Sequence, residues 1–266
     1  MKKPTYEPVT FSEVGNIRYL HLGTPWIQGA MNLKKPLHIE LEYAQQMMAW
    51  LLFLEPMVGF HVLQLGLGSA ALTKFTAHLN KTIKTTAVEL NPAIIIAAQA
   101  MFDLDLRNDR IQVVQANALD FTQQEAHNNQ FDVLQVDIFN GEASGPALNS
   151  KQFYQGCFDA LKSPGVLTVN LFHQHSSYTK NIQRICDVFD NRVLLFKEVH
   201  DCNVVAIAFK GPYLKFAWSD LKKRAKTIQK RYQLPAKQWV ADLKSNKNKD
   251  QNLNFKKFRK EISNKL

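Results

Sequence analysis

The stretch Val62-Leu63-Gln64-Leu65-Gly66-Leu67-Gly68-Ser69-Ala70-Ala71-Leu72, followed by Ala87-Val88-Glu89-Leu90-Asn91-Pro92, decides how this chain is read. The apolar run ending at Leu65 reads as a buried parallel strand. Gly66 and Gly68 let the backbone turn sharply and approach a ligand before a helix that begins near Ala70. Glu89 ends the next strand, where a carboxylate can accept hydrogen bonds from both hydroxyls of a ribose. The unit is predicted to bind a nucleoside.

Gly66-x-Gly68-x-x-Ala71 also satisfies the dinucleotide fingerprint, so the residues beyond it must discriminate. Asn91-Pro92 opens a helix of small residues over 93–101. Arg110-Ile111-Gln112-Val113-Val114 then makes a third strand that ends at Ala116-Asn117-Ala118, where the edge of an adenine would be read. Phe131-Asp132-Val133-Leu134-Gln135-Val136-Asp137 is a fourth strand with a carboxylate at its carboxyl end, and Gly165-Val166-Leu167-Thr168-Val169-Asn170 is a fifth. Ligands of open α/β sheets bind outside such strand ends, so Gly66, Glu89, Asn117 and Asp137 are expected to converge on one crevice. That order suits an S-adenosyl nucleoside better than NAD.

Over roughly residues 11–212 the chain resembles the spermidine synthases, a family that shares the class I methyltransferase fold. The resemblance rests on Leu22-Gly23-x-x-Trp26-Ile27-Gln28, Glu40-x-x-Tyr43, Leu63-Gln64-Leu65-Gly66-Leu67-Gly68 and Val88-Glu89-Leu90-Asn91-Pro92. Val136-Asp137 and Leu161-Lys162-Ser163-Pro164-Gly165-Val166-Leu167 complete it. It implies a mostly parallel, Rossmann-like α/β sheet. Asp137 would be the catalytic base, with Gln28, Gly66, Gly68, Ser69, Glu89, Leu90, Asn117 and Ala118 around the cofactor nucleoside. Tyr43, Asn140 and Glu142 would face the acceptor amine. Tyr43 falls on a helical stretch over residues 40–53, whose Met47, Met48, Leu51 and Leu52 read as core.

Two departures bear on the cofactor. Family members that transfer aminopropyl groups carry Gly-Gly-Gly-Asp-Gly-Gly where this chain has Gly66-Leu67-Gly68-Ser69-Ala70-Ala71. Decarboxylated S-adenosylmethionine has a free ammonium and no carboxylate, so its pocket needs an acid, which Ser69 does not supply. A serine hydroxyl can instead donate to the carboxylate of intact S-adenosylmethionine. The loop Asp137-Ile138-Phe139-Asn140 keeps the first acid of the family's Asp-x-x-Asp and neutralises the second, with Glu142 as a nearby substitute. Three readings follow. The first is aminopropyl transfer to an amine, as in polyamine biosynthesis. The second is a methyltransferase using intact S-adenosylmethionine, and the third is a non-catalytic nucleoside-binding or nucleic-acid-associated protein.

Composition sets outer limits. With 266 residues, 45% of them hydrophobic, the chain can bury a full core. Its apolar runs are too short to span a bilayer, and its start lacks a signal-peptide hydrophobic region, so a cytoplasmic protein without a transmembrane segment is expected. Cys157, Cys186 and Cys202 are scattered and odd in number, which fits reduced thiols. His173 and His175 lack a neighbouring acid cluster, and no metal is expected.

The net charge of +10 divides unevenly. Residues 213–266 hold 16 Lys+Arg against 4 Asp+Glu, while the preceding part holds 17 against 19. The expected organisation is a small β segment at 1–39, the nucleoside-binding domain at 40–212 and a polybasic helical tail at 213–266. In the tail, residues 220–232 and 236–243 read as helices, and Phe255, Phe258 and Ile262 form a sparse apolar stripe. Such a tail can attract nucleic acid or an anionic surface. Besides a small amine acceptor, a homodimer is left open as a partner.

Overall fold

The computed structural model describes residues 6–139, 148–199, 202–212 and 216–246. Strands β1 (Val9–Val14), β2 (Ile17–Leu22) and β3 (Gly29–Asn32) pair antiparallel in chain order as a small amino-terminal sheet. Helix α1 (Glu42–Met47) follows and tightens into a 3-10 turn over Met48–Leu52, so the helical stretch read from the sequence is present with a change of pitch.

A repeating strand-helix alternation then builds the main sheet. It comprises β4 (His61–Leu65), α2 (Ala71–Leu79), β5 (Lys84–Glu89), α3 (Pro92–Met101), β6 (Ile111–Gln115), α4 (Ala118–Thr122) and β7 (Phe131–Val136). Next come α5 (Lys151–Ala160), β8 (Leu161–Phe172), α6 (Tyr178–Val188), β9 (Val193–Leu195) and β10 (Asn203–Lys210). The seven strands lie in the order β6-β5-β4-β7-β8-β10-β9. The first five are parallel, and β10 runs antiparallel to both its neighbours. This is the class I methyltransferase-like fold. Strand β4 has parallel partners on both sides, and its Val62, Leu63 and Leu65 are wholly buried. Val62 and Leu63 point to opposite faces and are both buried, so both faces are covered, which is why the strand is mostly apolar, with Gln64 as a buried polar exception, and not alternating.

The order also fixes where a ligand can sit. The chain leaves β4 for β5 on one side and later returns to place β7 on the other, so a crevice opens at the carboxyl ends of β4 and β7. Local sequence sets the helix entries around it. The Asn91 side chain accepts from the Ala93 N–H at 2.9 Å with Pro92 in the first helical position, and Asn117 caps α4 through the Leu119 N–H at 2.8 Å.

Helices α7 (Trp218–Tyr232) and α8 (Ala236–Asn246) lie where the basic tail was read as helical, but they pack into the core. Leu221, Ala225 and Ile228 line one face of α7 at helical spacing, while Lys222, Lys223, Lys226 and Lys230 are exposed. Trp239, Val240 and Leu243 of α8 are buried as well, in the same core cluster as Trp50, Leu51 and Phe60. The Arg224 side chain donates to the Leu51 carbonyl and so fastens α7 to the 3-10 turn. Charge counting missed the buried stripe, because each lysine adds charge while an amphipathic helix needs only a few apolar positions per turn. The stripe Phe255, Phe258 and Ile262 lies outside the described residues.

Truncating the buried Trp239 should therefore cost about 3–5 kcal/mol. Trp239→Ala is expected to lower the midpoint of thermal unfolding by several degrees, as followed by circular dichroism. An unchanged midpoint would show that α8 adds nothing to the core.

Candidate active site

The crevice is built around one close backbone approach. Gly66 has φ +90°, and a Cβ placed on it would lie 2.1 Å from the Asp137 carbonyl oxygen. Only glycine allows the two strand ends to meet this closely. The Asp137 N–H donates to the Leu65 carbonyl at 2.9 Å, which continues the β4–β7 ladder to its last position. Gly68, also at positive φ, brings the turn to within 3.2 Å (Cβ position) of the Gln28 carbonyl oxygen, so the residue preceding β3 is drawn onto the crevice.

Asp137 is held from two directions. Its Oδ1 accepts from Asn170 Nδ2 at 3.1 Å and its Oδ2 from the Tyr43 hydroxyl at 3.4 Å. Burial pushes the Asp137 carboxyl up to about 6, and the hydrogen bonds from Asn170 and Tyr43 pull in the opposite direction. The Tyr43 hydroxyl is raised well above its usual value by its own burial and by the neighbouring carboxylate, so it stays a proton donor. Asn170 was named in the sequence only as a strand terminus. The register that places Val136 beside Val169 puts Asp137 and Asn170 next to each other, one step beyond. Counting residues past the two apolar runs is the signal that finds it. The Asn170 Oδ1 is buried without a hydrogen-bond partner among the described residues.

Glu89 serves the backbone first. Its two oxygens accept from the Leu67 and Asn91 N–H groups, each at 2.9 Å, which ties the glycine turn to the end of β5. Burial raises its pKa, and those backbone hydrogen bonds oppose the rise. A carboxylate offers about four lone-pair directions, so two remain for a diol. Asn117 uses one Oδ1 lone pair to cap α4 and keeps the other.

Ser69 behaves differently from the sequence expectation. Its hydroxyl donates to the Ala30 carbonyl at 3.3 Å, and its Cβ and Oγ lie 2.7 Å from where a Cβ on Gly29 would be. Its one hydroxyl hydrogen is thus spent within the protein, and what Ser69 presents to a ligand is lone pairs.

Gln28, Tyr43, Gly66, Gly68, Glu89, Leu90, Asn117, Ala118 and Asp137 all line one cavity of about 230 Å³. Ser69 is not among its walls. It lines a smaller recess of about 20 Å³ that shares Gln28, Tyr43, Gly68 and Asp137 with the larger one. A third cavity of about 500 Å³ opens on the other side of Gln28 and Tyr43, walled by Trp26, Phe139, Asn170 and Phe172 and edged by Glu42. Trp26 and Phe172 meet edge to face at 6.5 Å. Asn140 and Glu142 lie outside the described residues. His173 pairs with Glu198 at 2.7 Å and His175 bonds Ser177 at 2.8 Å. Among the described residues no three His, Cys, Asp or Glu side chains are grouped to hold a metal.

The geometry is thus a nucleoside-sized cavity lined by a buried carboxylate and an aromatic-walled cavity that shares Gln28, Tyr43 and Phe139 with it, and two walls of the second, Tyr43 and Asn170, hydrogen-bond that carboxylate. The chain is also similar to known proteins. The spermine/spermidine synthase domain matches residues 43–223. A polyamine aminopropyltransferase of Neisseria meningitidis serogroup A is 33% identical over 243 residues, covering 91% of each chain. Among solved structures, a probable spermidine synthase from Corynebacterium glutamicum superposes with a TM-score of 0.70 at 16% identity, over 86% of this chain and 85% of its own. Human methyltransferase-like protein 13 in complex with SAH superposes at 0.64 and 22% identity, over 72% of this chain and 92% of its own, and shares the fold. The chain belongs to the spermine/spermidine synthase family.

Proposed function

We propose that this protein is a polyamine aminopropyltransferase that moves the 3-aminopropyl group of decarboxylated S-adenosylmethionine to a primary amine. The observation that carries the reading is Asp137, a buried carboxylate raised to about 6 that lines the nucleoside cavity and accepts from Tyr43 and Asn170, which line the aromatic one. The acceptor arrives as an ammonium, and its proton passes to Asp137. The amine lone pair then attacks the methylene next to the sulfonium, the C–S bond breaks with its electron pair going to sulfur, and methylthioadenosine leaves. The raised pKa makes Asp137 a stronger base than an ordinary carboxylate. Tyr43 and Asn170 orient it, and the unpartnered Asn170 Oδ1 is available to accept an acceptor N–H. The Trp26 and Phe172 rings suit the methylene chain and cationic ends of a polyamine.

The nucleoside side follows from the cavity walls. Glu89 would take the ribose hydroxyls on its remaining lone pairs, and Asn117 with Ala118 would face the adenine edge. The methyltransferase alternative rested on a Ser69 hydroxyl that donates to a cofactor carboxylate. With that hydrogen given to Ala30, Ser69 suits an ammonium better than a carboxylate. A non-catalytic binder would have no need to bury and orient an acid at the junction of two cavities, since that burial costs stability.

Three predictions test the catalytic side. Because only the carboxylate form of Asp137 can take a proton, kcat/KM should fall tenfold per pH unit as pH drops below about 6. Asp137→Asn should lower kcat by about 10²–10⁴. The Asn170 hydrogen bond holds the Asp137 pKa down, so Asn170→Ala should move the acid limb to higher pH. A limb that stays in place in Asn170→Ala would mean that another group titrates. On the nucleoside side, Glu89→Ala strips the acceptor from two backbone N–H groups as well as from the ribose. Methylthioadenosine affinity should fall by about 1.5–3 kcal/mol and the unfolding midpoint should fall with it. Calorimetric binding at wild-type strength would remove Glu89 from the ribose site.

A further inference from the structure

The recess beside Ser69 has the chemistry of a cation site. Glu40, just ahead of α1, is one of its walls, and the Glu40 Oε1 is buried and makes no hydrogen bond among the described residues. His38 Nε2 lies 3.8 Å from that oxygen, beyond hydrogen-bond reach. A buried carboxylate oxygen without a donor is costly, so a group that supplies one is favoured there. The remaining walls include the Asp137 carboxylate, the Ser69 oxygen with its hydrogen committed to Ala30, and Gln28, and no Lys, Arg or His is among them. At about 20 Å³ the recess holds one water-sized group. An alkylammonium head is of that size and brings three donors.

We infer that Glu40 is the specificity-determining acid of this enzyme, receiving the ammonium of the aminopropyl group in the recess between Ser69 and Asp137. The inference rests on the aminopropyl-transfer reading and names the residue that selects its donor. Gln28, Tyr43, Gly68 and Asp137 line both the recess and the nucleoside cavity, so a short chain on the nucleoside's sulfur can pass from one to the other. Intact S-adenosylmethionine carries its carboxylate on the carbon that bears the ammonium. In the recess that carboxylate would have no room and would face Glu40 and Asp137, so rejection is built from like-charge repulsion as well as from fit. The acid missing at position 69 of the glycine turn is thereby supplied from the segment that leads into α1.

The test uses two thioether ligands that undergo no transfer, the S-(3-aminopropyl) and S-propyl analogues of methylthioadenosine, titrated calorimetrically into the full-length protein. The amine should tighten binding to the wild type by about tenfold or more, as a charged hydrogen bond does. In Glu40→Gln, which keeps the shape, that advantage should shrink to near one while the S-propyl affinity stays unchanged. Equal binding of the two analogues to the wild type overturns the inference without any variant. So does an undiminished amine advantage in Glu40→Gln, or an equal loss for both analogues. Failure of the aminopropyl-transfer reading would look different, since neither analogue nor methylthioadenosine would bind, or no aminopropyl group would reach an amine.

Discussion

The contact between Gly66 and the Asp137 backbone is the constraint on which the site depends. Two parallel strands that diverge from a switch point ordinarily leave their following loops free to separate. Here a missing side chain at Gly66 lets the Asp137 carbonyl sit where a Cβ would be. The Asp137 side chain is thereby fixed in the nucleoside cavity, within hydrogen-bond reach of Tyr43 and Asn170 of the aromatic cavity. Any other residue at 66 would push the two strand ends apart and carry the carboxylate with them.

Holding a carboxylate there has an energetic cost that the surrounding structure must meet. Burial alone would favour the neutral acid, and the hydrogen bonds of Tyr43 and Asn170 recover part of the ionised form. Tyr43 depends on α1, α1 runs into the 3-10 turn, and the turn is packed by α7 and α8 through Trp50, Leu51 and Trp239. The carboxyl-terminal helices thus stand behind a residue of the site although none of their side chains lines it. The lysines of α7 are exposed while its apolar stripe, with that of α8, packs beneath the turn that carries Tyr43's helix.

How much of this was legible in the sequence varies with the range of the interactions. The strands of the parallel sheet were readable because burial on both faces leaves a mostly apolar run, as in Val62 to Leu65, where only Gln64 is polar. Glu89 and Asp137 were readable because a strand end in this fold is a position with a known neighbourhood. Asn170 was not readable as a functional residue, since its meaning comes from the register of β8 against β7 and not from its own surroundings in the chain. The partner of the Ser69 hydroxyl was not readable for a similar reason. A hydroxyl can donate to a ligand or to the protein, and only the approach of β3 decides that it gives its hydrogen to Ala30. Local chemistry fixes what a side chain is able to do, and long-range packing fixes which of its options is still free.

The charge balance of the proposed reaction explains why a carboxylate with a raised pKa suits this junction. Before transfer the site holds a sulfonium, the acceptor ammonium and the Asp137 carboxylate. Afterwards the sulfur is neutral, the new amine carries the positive charge and Asp137 carries a proton. The net charge is unchanged, but one buried positive and one buried negative charge have vanished together, which lowers the desolvation burden of the product state. An acid with an ordinary, low pKa would resist that step. One poised near 6 accepts the proton at modest cost and can still release it to water before the next turnover. The burial that makes Asp137 costly to fold is therefore the same property that lets it take part in the chemistry.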